Sequence, residues 1–123
     1  MILADTSAWA AHLRQADPLM DQLLRSRRIV VHPFVIGELA VGNLPDRPRF
    51  LDRLSLMNSV PKAADDEVMR LIERGPHFGS GLGWIDMHLL ASVLLTPAGK
   101  LLTLDKRLNA AAQRYGRAAQ LHH

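Results

Sequence analysis

Ile2-Leu3-Ala4, Ile29-Val30-Val31 and Leu101-Leu102-Thr103-Leu104 are short aliphatic runs bounded by polar residues, a pattern that predicts three buried strands. Between them apolar positions recur at helical spacing, and helices are predicted over Ser7 to Gln15, Pro18 to Arg27, Pro33 to Gly42, Pro48 to Met57, Ala64 to Arg74, Trp84 to Leu95 and Leu108 to Tyr115. Pro18, Pro33 and Pro48 fall in first turns, where proline is tolerated. Asp65, Asp66 and Glu67 fall where the positive end of a helix dipole favours acids. Weaker strand patterns at Ser59-Val60 and at Ala118 to Leu121 bring the expected sheet to four or five strands. Gly79-Ser80-Gly81-Leu82-Gly83 reads as a loop that turns the chain tightly into the Trp84 helix. Strands alternating with helices imply βαβ units, hence an α/β fold with a central parallel sheet flanked by helices. No repeat or linker divides the chain, so residues 1–121 read as a single domain followed by the tail His122-His123, to which no function is assigned.

Four acids interrupt this pattern. Asp5 closes the apolar opening, Glu38 is the only charged residue between His32 and Leu44, Asp86 is the only formally charged side chain between Gly75 and Gly99, and Asp105 follows a strand-like run. A carboxylate buried without a partner is costly, so it protonates or is paired. Ligands of open parallel sheets bind beyond the carboxyl ends of the strands, which is where Asp5 and Asp105 fall, with Glu38 on the helix leaving the second strand. Structural readings compete for each: Asp5 in Asp5-Thr6-Ser7 and Asp105 in Asp105-Lys106-Arg107 are plausible helix caps, while Glu38 and Asp86, placed within helices, would need an Arg partner. As a cluster they pose a problem that a cation solves, because two carboxylates about 4 Å apart repel by roughly 4 kcal/mol at an effective dielectric of 20.

Composition narrows the cation and the compartment. The chain has 123 residues and no cysteine, which removes thiolate metal sites and disulfides and fits a reducing cytoplasm. Hard oxygen donors favour Mg²⁺ or Mn²⁺ over zinc. None of the six histidines has an H-x-x-x-H spacing, and His88, two residues from Asp86, reads as a packed histidine on another helix face. No signal peptide or transmembrane helix is expected, since Asp5 interrupts the first apolar run and Pro and Gly punctuate the longest uncharged stretch. The net charge of +3 is carried mostly by Arg, which suits phosphate recognition and equally suits a solvated surface. The Gly79-x-Gly81-x-Gly83 spacing matches neither a dinucleotide nor a Walker loop, and Ser7 lacks a nucleophile-elbow context.

The order of these pieces, Asp5-Thr6-Ser7 after a first strand, Glu38 on the third helix, Gly83-Trp84-Ile85-Asp86 opening a late helix and Leu102-Thr103-Leu104-Asp105 after a late strand, resembles the PIN-domain ribonucleases, and within them the VapC-type toxins, across essentially the whole chain. The resemblance implies a three-layer fold with a parallel sheet of order 3-2-1-4-5, RNA cleavage dependent on Mg²⁺ or Mn²⁺, a homodimer, and inhibition by a cognate VapB-type antitoxin. It implies that Asp5, Glu38, Asp86 and Asp105 hold metal and that Thr6 and Thr103 support the site. Where some relatives carry a further acid after the last one, this chain has Lys106 and Arg107, which weakens the case for a fully occupied second metal. The antitoxin's docking groove is implied among the early helices, where Phe34, Val35, Ile36, Phe50, Leu51, Leu54, Leu56 and Met57 form either that groove or simply core.

Read for their chemistry, the residues point the same way. A carboxylate-bound Mg²⁺ lowers the pKa of a water and offsets charge on a leaving oxygen. Asp5 is the expected central ligand, Glu38 and Asp86 complete the shell, Asp105 holds a second or water-bridged position, Thr6, Ser7 and Thr103 orient ligands, and Lys106 and Arg107 meet the RNA backbone. The rival readings are a structure-specific DNA nuclease or a non-toxin RNA-processing nuclease of the same fold, a non-catalytic RNA-binding module, and a metal-dependent phosphatase on another α/β fold. A threading DNA nuclease would need extra helices that this chain lacks, and a binding module would be expected to have lost acids.

Overall fold

The computed structural model describes residues 1–120, so His122 and His123 and the end of the expected Ala118 to Leu121 strand lie outside the described residues. The strands are β1 (Ile2–Ala4), β2 (Ile29–Val30) and β3 (Lys100–Leu102). The helices are α1 (Thr6–Arg14), α2 (Pro18–Arg25), α3 (Pro33–Val41), α4 (Arg47–Ser55), α5 (Asp65–Arg74), α6 (Trp84–Leu94) and α7 (Lys106–Arg114). All strand pairings are parallel, in the order β2-β1-β3, with Leu3 opposite Val30 on one side and Leu101 on the other.

Three strands stand where four to five were expected. The two missing ones survive as isolated parallel bridges on the outer edges, Val31 with Ser59 beside β2 and Leu101 with Ala118 beside β3. Their positions reproduce the 3-2-1-4-5 order; only the length to count as strands is missing. On the Ser59 side, Val31 N donates to Asn58 O and Val60 N to Val31 O, after which Pro61 has no N–H to extend the ladder. On the other side the chain enters from a left-handed turn at Gly116 and makes one reciprocal pair with Leu101.

Successive strand residues point to opposite faces, yet Ile2, Leu3 and Ala4 are all buried. Both faces of β1 are therefore covered, the requirement that produces a three-layer α/β arrangement. α1 packs on β1, α6 and α7 pack on β3, and α3 and α5 pack on α1 and α6 in turn. The core comprises the three strands together with Trp9, Met20, Leu23, Val35, Leu54, Val68, Leu89, Leu90 and Leu108.

Of the early-helix apolar residues, Val35 and Leu54 are core, and Ile36, Phe50, Leu51 and Met57 pack against it. Half-buried Phe34 and Leu56, 80% exposed, are left out, and Val41 near them is 90% exposed. The core explanation thus accounts for most of that group. Among the described residues no helix is long and apolar enough to cross a membrane.

Candidate active site

β3 ends at Leu102, two residues earlier than its apolar pattern predicts, because Thr103 and Ser7 divert the chain. The Ser7 hydroxyl donates to Asp5 Oδ1 at 2.6 Å and accepts from Leu104 N at 3.0 Å. The Thr103 hydroxyl donates to Asp5 Oδ2 and accepts from Asp105 N at 3.0 Å. Two hydroxyls therefore lock the end of β1 to the segment leaving β3. They hold Asp5, only 5% exposed, by both carboxylate oxygens. Asp5 also caps α1, accepting from Ala8 N at 3.0 Å. Capping and functional readings of Asp5 are thus compatible: the same turn that starts the helix fixes the carboxylate.

The other three acids are less buried than their apolar sequence surroundings suggest. Glu38 is exposed on α3, with Oε1 accepting from the Thr6 hydroxyl at 2.6 Å. Asp86 is half-buried in the first turn of α6, where Oδ2 accepts from Gly83 N at 3.0 Å. Asp105 is exposed and caps α7 through Oδ1, which accepts from Leu108 N at 2.9 Å. Neither Glu38 nor Asp86 has the Arg partner that a structural role would need. Among the described residues the ion pairs are Arg25–Asp21, Arg49–Asp46, Arg70–Asp66 and His88–Asp65, and none involves the four acids.

Asp86 feels the charge of the other three acids. Burial is the main cause that pushes the Asp86 carboxyl above the usual carboxylate range; the Gly83 N–H opposes it, and the charges of Asp105, Asp5 and Glu38 reinforce it. Among the described residues no three acids or histidines close into a cage able to hold an ion by themselves. Mg²⁺ commonly keeps waters and substrate phosphates in its octahedron beside one or two carboxylates. A hard, all-oxygen donor set with no competing cation fits Mg²⁺ or Mn²⁺.

A test of this charge balance follows from Asp86. In the metal-free protein, folded Asp86 holds its proton more tightly than the unfolded chain does. Stability therefore falls as pH rises from the ordinary carboxylate value of 3.8 through the raised one. Asp86→Asn keeps an oxygen for Gly83 N and never ionises. Its melting temperature in chelator is expected to equal or exceed that of the wild type at neutral pH, with the difference closing below that window. A drop of more than ~5 °C, about 1 kcal/mol for a domain of this size, would mean that Asp86 serves a structural partner.

Of the expected supporting residues, Thr6 reaches Glu38, and Ser7 and Thr103 reach Asp5. Lys106 and Arg107 are exposed at the start of α7. Arg107 lies against Gly81, which has φ +87° and where any Cβ would run into the guanidinium. The backbone amide of Gly83 went unanticipated, since a main-chain donor carries no side-chain signal. Trp84, which opens α6, is half-exposed. His88 is fully buried, as expected of a packed histidine.

No family model matches the chain. The fold matches the crystal structure of PAE2754 from Pyrobaculum aerophilum with a TM-score of 0.68 at 21% identity, over 96% of this chain and 87% of that one. The sequence is 45% identical to Ribonuclease VapC32 of Mycobacterium tuberculosis over 116 residues, 94% of either chain, in both the CDC 1551 and the H37Rv strains. The chain belongs to the VapC family of PIN-domain ribonucleases. The resemblance read from the four-acid order is therefore correct. Within a VapC ribonuclease the edge where Asp5, Glu38, Asp86 and Asp105 gather is the candidate active site.

Proposed function

We propose that this chain is the toxin of a toxin–antitoxin pair: an endoribonuclease that hydrolyses RNA phosphodiester bonds with Mg²⁺, or Mn²⁺ in its place, held by Asp5, Glu38, Asp86 and Asp105. The observation that carries the reading is the gathering of four carboxylates, with no ion-pair partner among the described residues, at the carboxyl edge of a parallel sheet, in a chain of a ribonuclease family. When bound, such an ion supplies a water of lowered pKa and offsets charge on the leaving oxygen.

The protein's own contribution is positioning. Asp5 enters already oriented by Ser7, Ala8 N and Thr103, so little ordering remains to be done when substrate arrives. The Thr6 hydroxyl engages one oxygen of Glu38 and Gly83 N engages one of Asp86, which steers each carboxylate while leaving its second oxygen without a hydrogen-bond partner among the described residues. Asp105 is linked to Asp5 through Thr103 and takes the second or water-bridged position. Lys106 and Arg107 meet backbone phosphates of the RNA.

The partners in this reading are RNA, a VapB-type antitoxin encoded beside the gene, and a second copy of the chain. Exposed Val41 and Leu56, at the ends of α3 and α4, offer apolar anchors for an amphipathic antitoxin segment. Induction of the protein in cells is expected to stop growth and create new RNA ends at a defined site, and co-expression of the neighbouring small gene to abolish both while co-purifying with a dimer. A monomer that finds no partner and leaves the RNA pool unchanged would contradict the proposal.

A further inference from the structure

Trp84 opens α6 two residues before Asp86 and keeps 43% of its surface exposed. A single exposed aromatic carries no message by itself, but this one is braced and has charged company. Its ring meets His88, one turn along the same helix, edge to face at 4.6 Å and 82°. His88 is fully buried and meets Phe34 in the same way at 4.8 Å, while its Nε2 stands 3.2 Å from Asp65 without the alignment of a hydrogen bond. Lys62 places its ammonium 4.9 Å from the Phe34 ring centroid. His32 completes the cluster, 5.1 Å from Phe34, and burial with the nearby charges of His88 and Lys62 lowers its pKa to about 4, so it adds no charge at neutral pH and Lys62 is the cation of this patch.

The patch approaches the acids along α3, where Phe34 precedes Glu38 by one turn on the same side of the helix. On α6, Trp84 shares a face with His88, one turn further on, while Asp86 at i+2 faces another way. A fixed aromatic face with a neighbouring ammonium is how proteins hold single-stranded nucleic acid: the base stacks, and the cation meets its phosphate. We propose that Trp84, supported by Phe34 and Lys62, is a stacking site for an unpaired base of the bound RNA, reached from the acids along α3, so that a single strand engages this patch and a duplex does not. The proposal rests on the ribonuclease reading and adds a specificity site to it.

The test uses the full chain and a short unstructured RNA, with the same sequence annealed into a duplex as comparison. The only other tryptophan, Trp9, is buried. In chelator, which prevents cleavage, the single strand is expected to quench the indole fluorescence saturably and the duplex far less. Trp84→Phe should lose the quenching yet keep most of the affinity. With metal, Trp84→Ala should raise KM about 5- to 100-fold with kcat nearly kept, the range expected for one stacked base. Lys62→Gln should flatten the salt dependence of binding by about one contact.

Wild-type KM in Trp84→Ala, or equal quenching by single strand and duplex, would overturn the stacking site while leaving the nuclease standing. Quenching that responds only to the antitoxin or to self-association would overturn it too, and assign the patch to a protein contact. Should Trp84→Ala unfold, Trp84→Phe and the wild-type quenching still decide. A wild type that cleaves no RNA strikes the ribonuclease reading instead.

Discussion

Asp5→Asn is expected to leave the fold in place and reduce RNA cleavage by at least ~100-fold, the scale of losing several kcal/mol of transition-state stabilisation. The substitution is nearly isosteric. The Asn carbonyl oxygen can still accept from Ala8 N and Ser7, so the cap of α1 survives. On the other side the amide nitrogen replaces the oxygen that Thr103 addresses, and the Thr103 hydroxyl must turn to accept instead of donate. That exchange costs about 1 kcal/mol, a few degrees of melting temperature. The charge loss is different in kind: the best-oriented carboxylate of the cluster no longer attracts a cation. A cleavage rate measured beside a melting curve separates the two effects. Cleavage at the wild-type rate in a folded Asp5→Asn protein would remove Asp5 from the site.

Asp5 also shows how much of this molecule is legible in its sequence. Its position at the end of an apolar run placed it at the carboxyl edge of the sheet, with Ser7 in the same turn, whereas the supporting roles of Thr6 and Thr103 came from the family resemblance, since Thr103 lies 98 residues away. The central strands and all seven helices follow from apolar spacing and from prolines in first turns. The outer strands do not: Ser59-Val60 and Ala118 carry strand-like residues, but Pro61 and the turn at Gly116 decide how far pairing runs, and those limits are tertiary. Burial was the less legible quantity. Glu38 lies in an apolar stretch and is nonetheless exposed, because only the face of α3 that carries Val35 and Leu39 is covered, although the helix is apolar nearly all round. Main-chain donors such as Gly83 N become visible only when the helix start is built.

The second large effect concerns the cation. Asp5, Glu38, Asp86 and Asp105 have no basic partner among the described residues, and mutual repulsion adds to the burial that already makes Asp86 reluctant to ionise. A divalent ion relieves that repulsion and binds the folded chain in preference to the unfolded one. Mg²⁺ is therefore expected to raise the melting temperature of the wild type as its concentration passes the dissociation constant. Asp5→Asn should show little of this rise, which ties the stabilisation to the cluster. The same ion is expected to be indispensable for chemistry, because it would supply the water of lowered pKa that the carboxylates themselves do not.

Cleavage of an unstructured RNA by the purified, antitoxin-free protein, followed in excess EDTA and again after Mg²⁺ or Mn²⁺ is restored, puts the account at risk most directly. It predicts a loss of at least ~100-fold in chelator and full recovery with either metal; cleavage that continues undiminished in excess EDTA would contradict it.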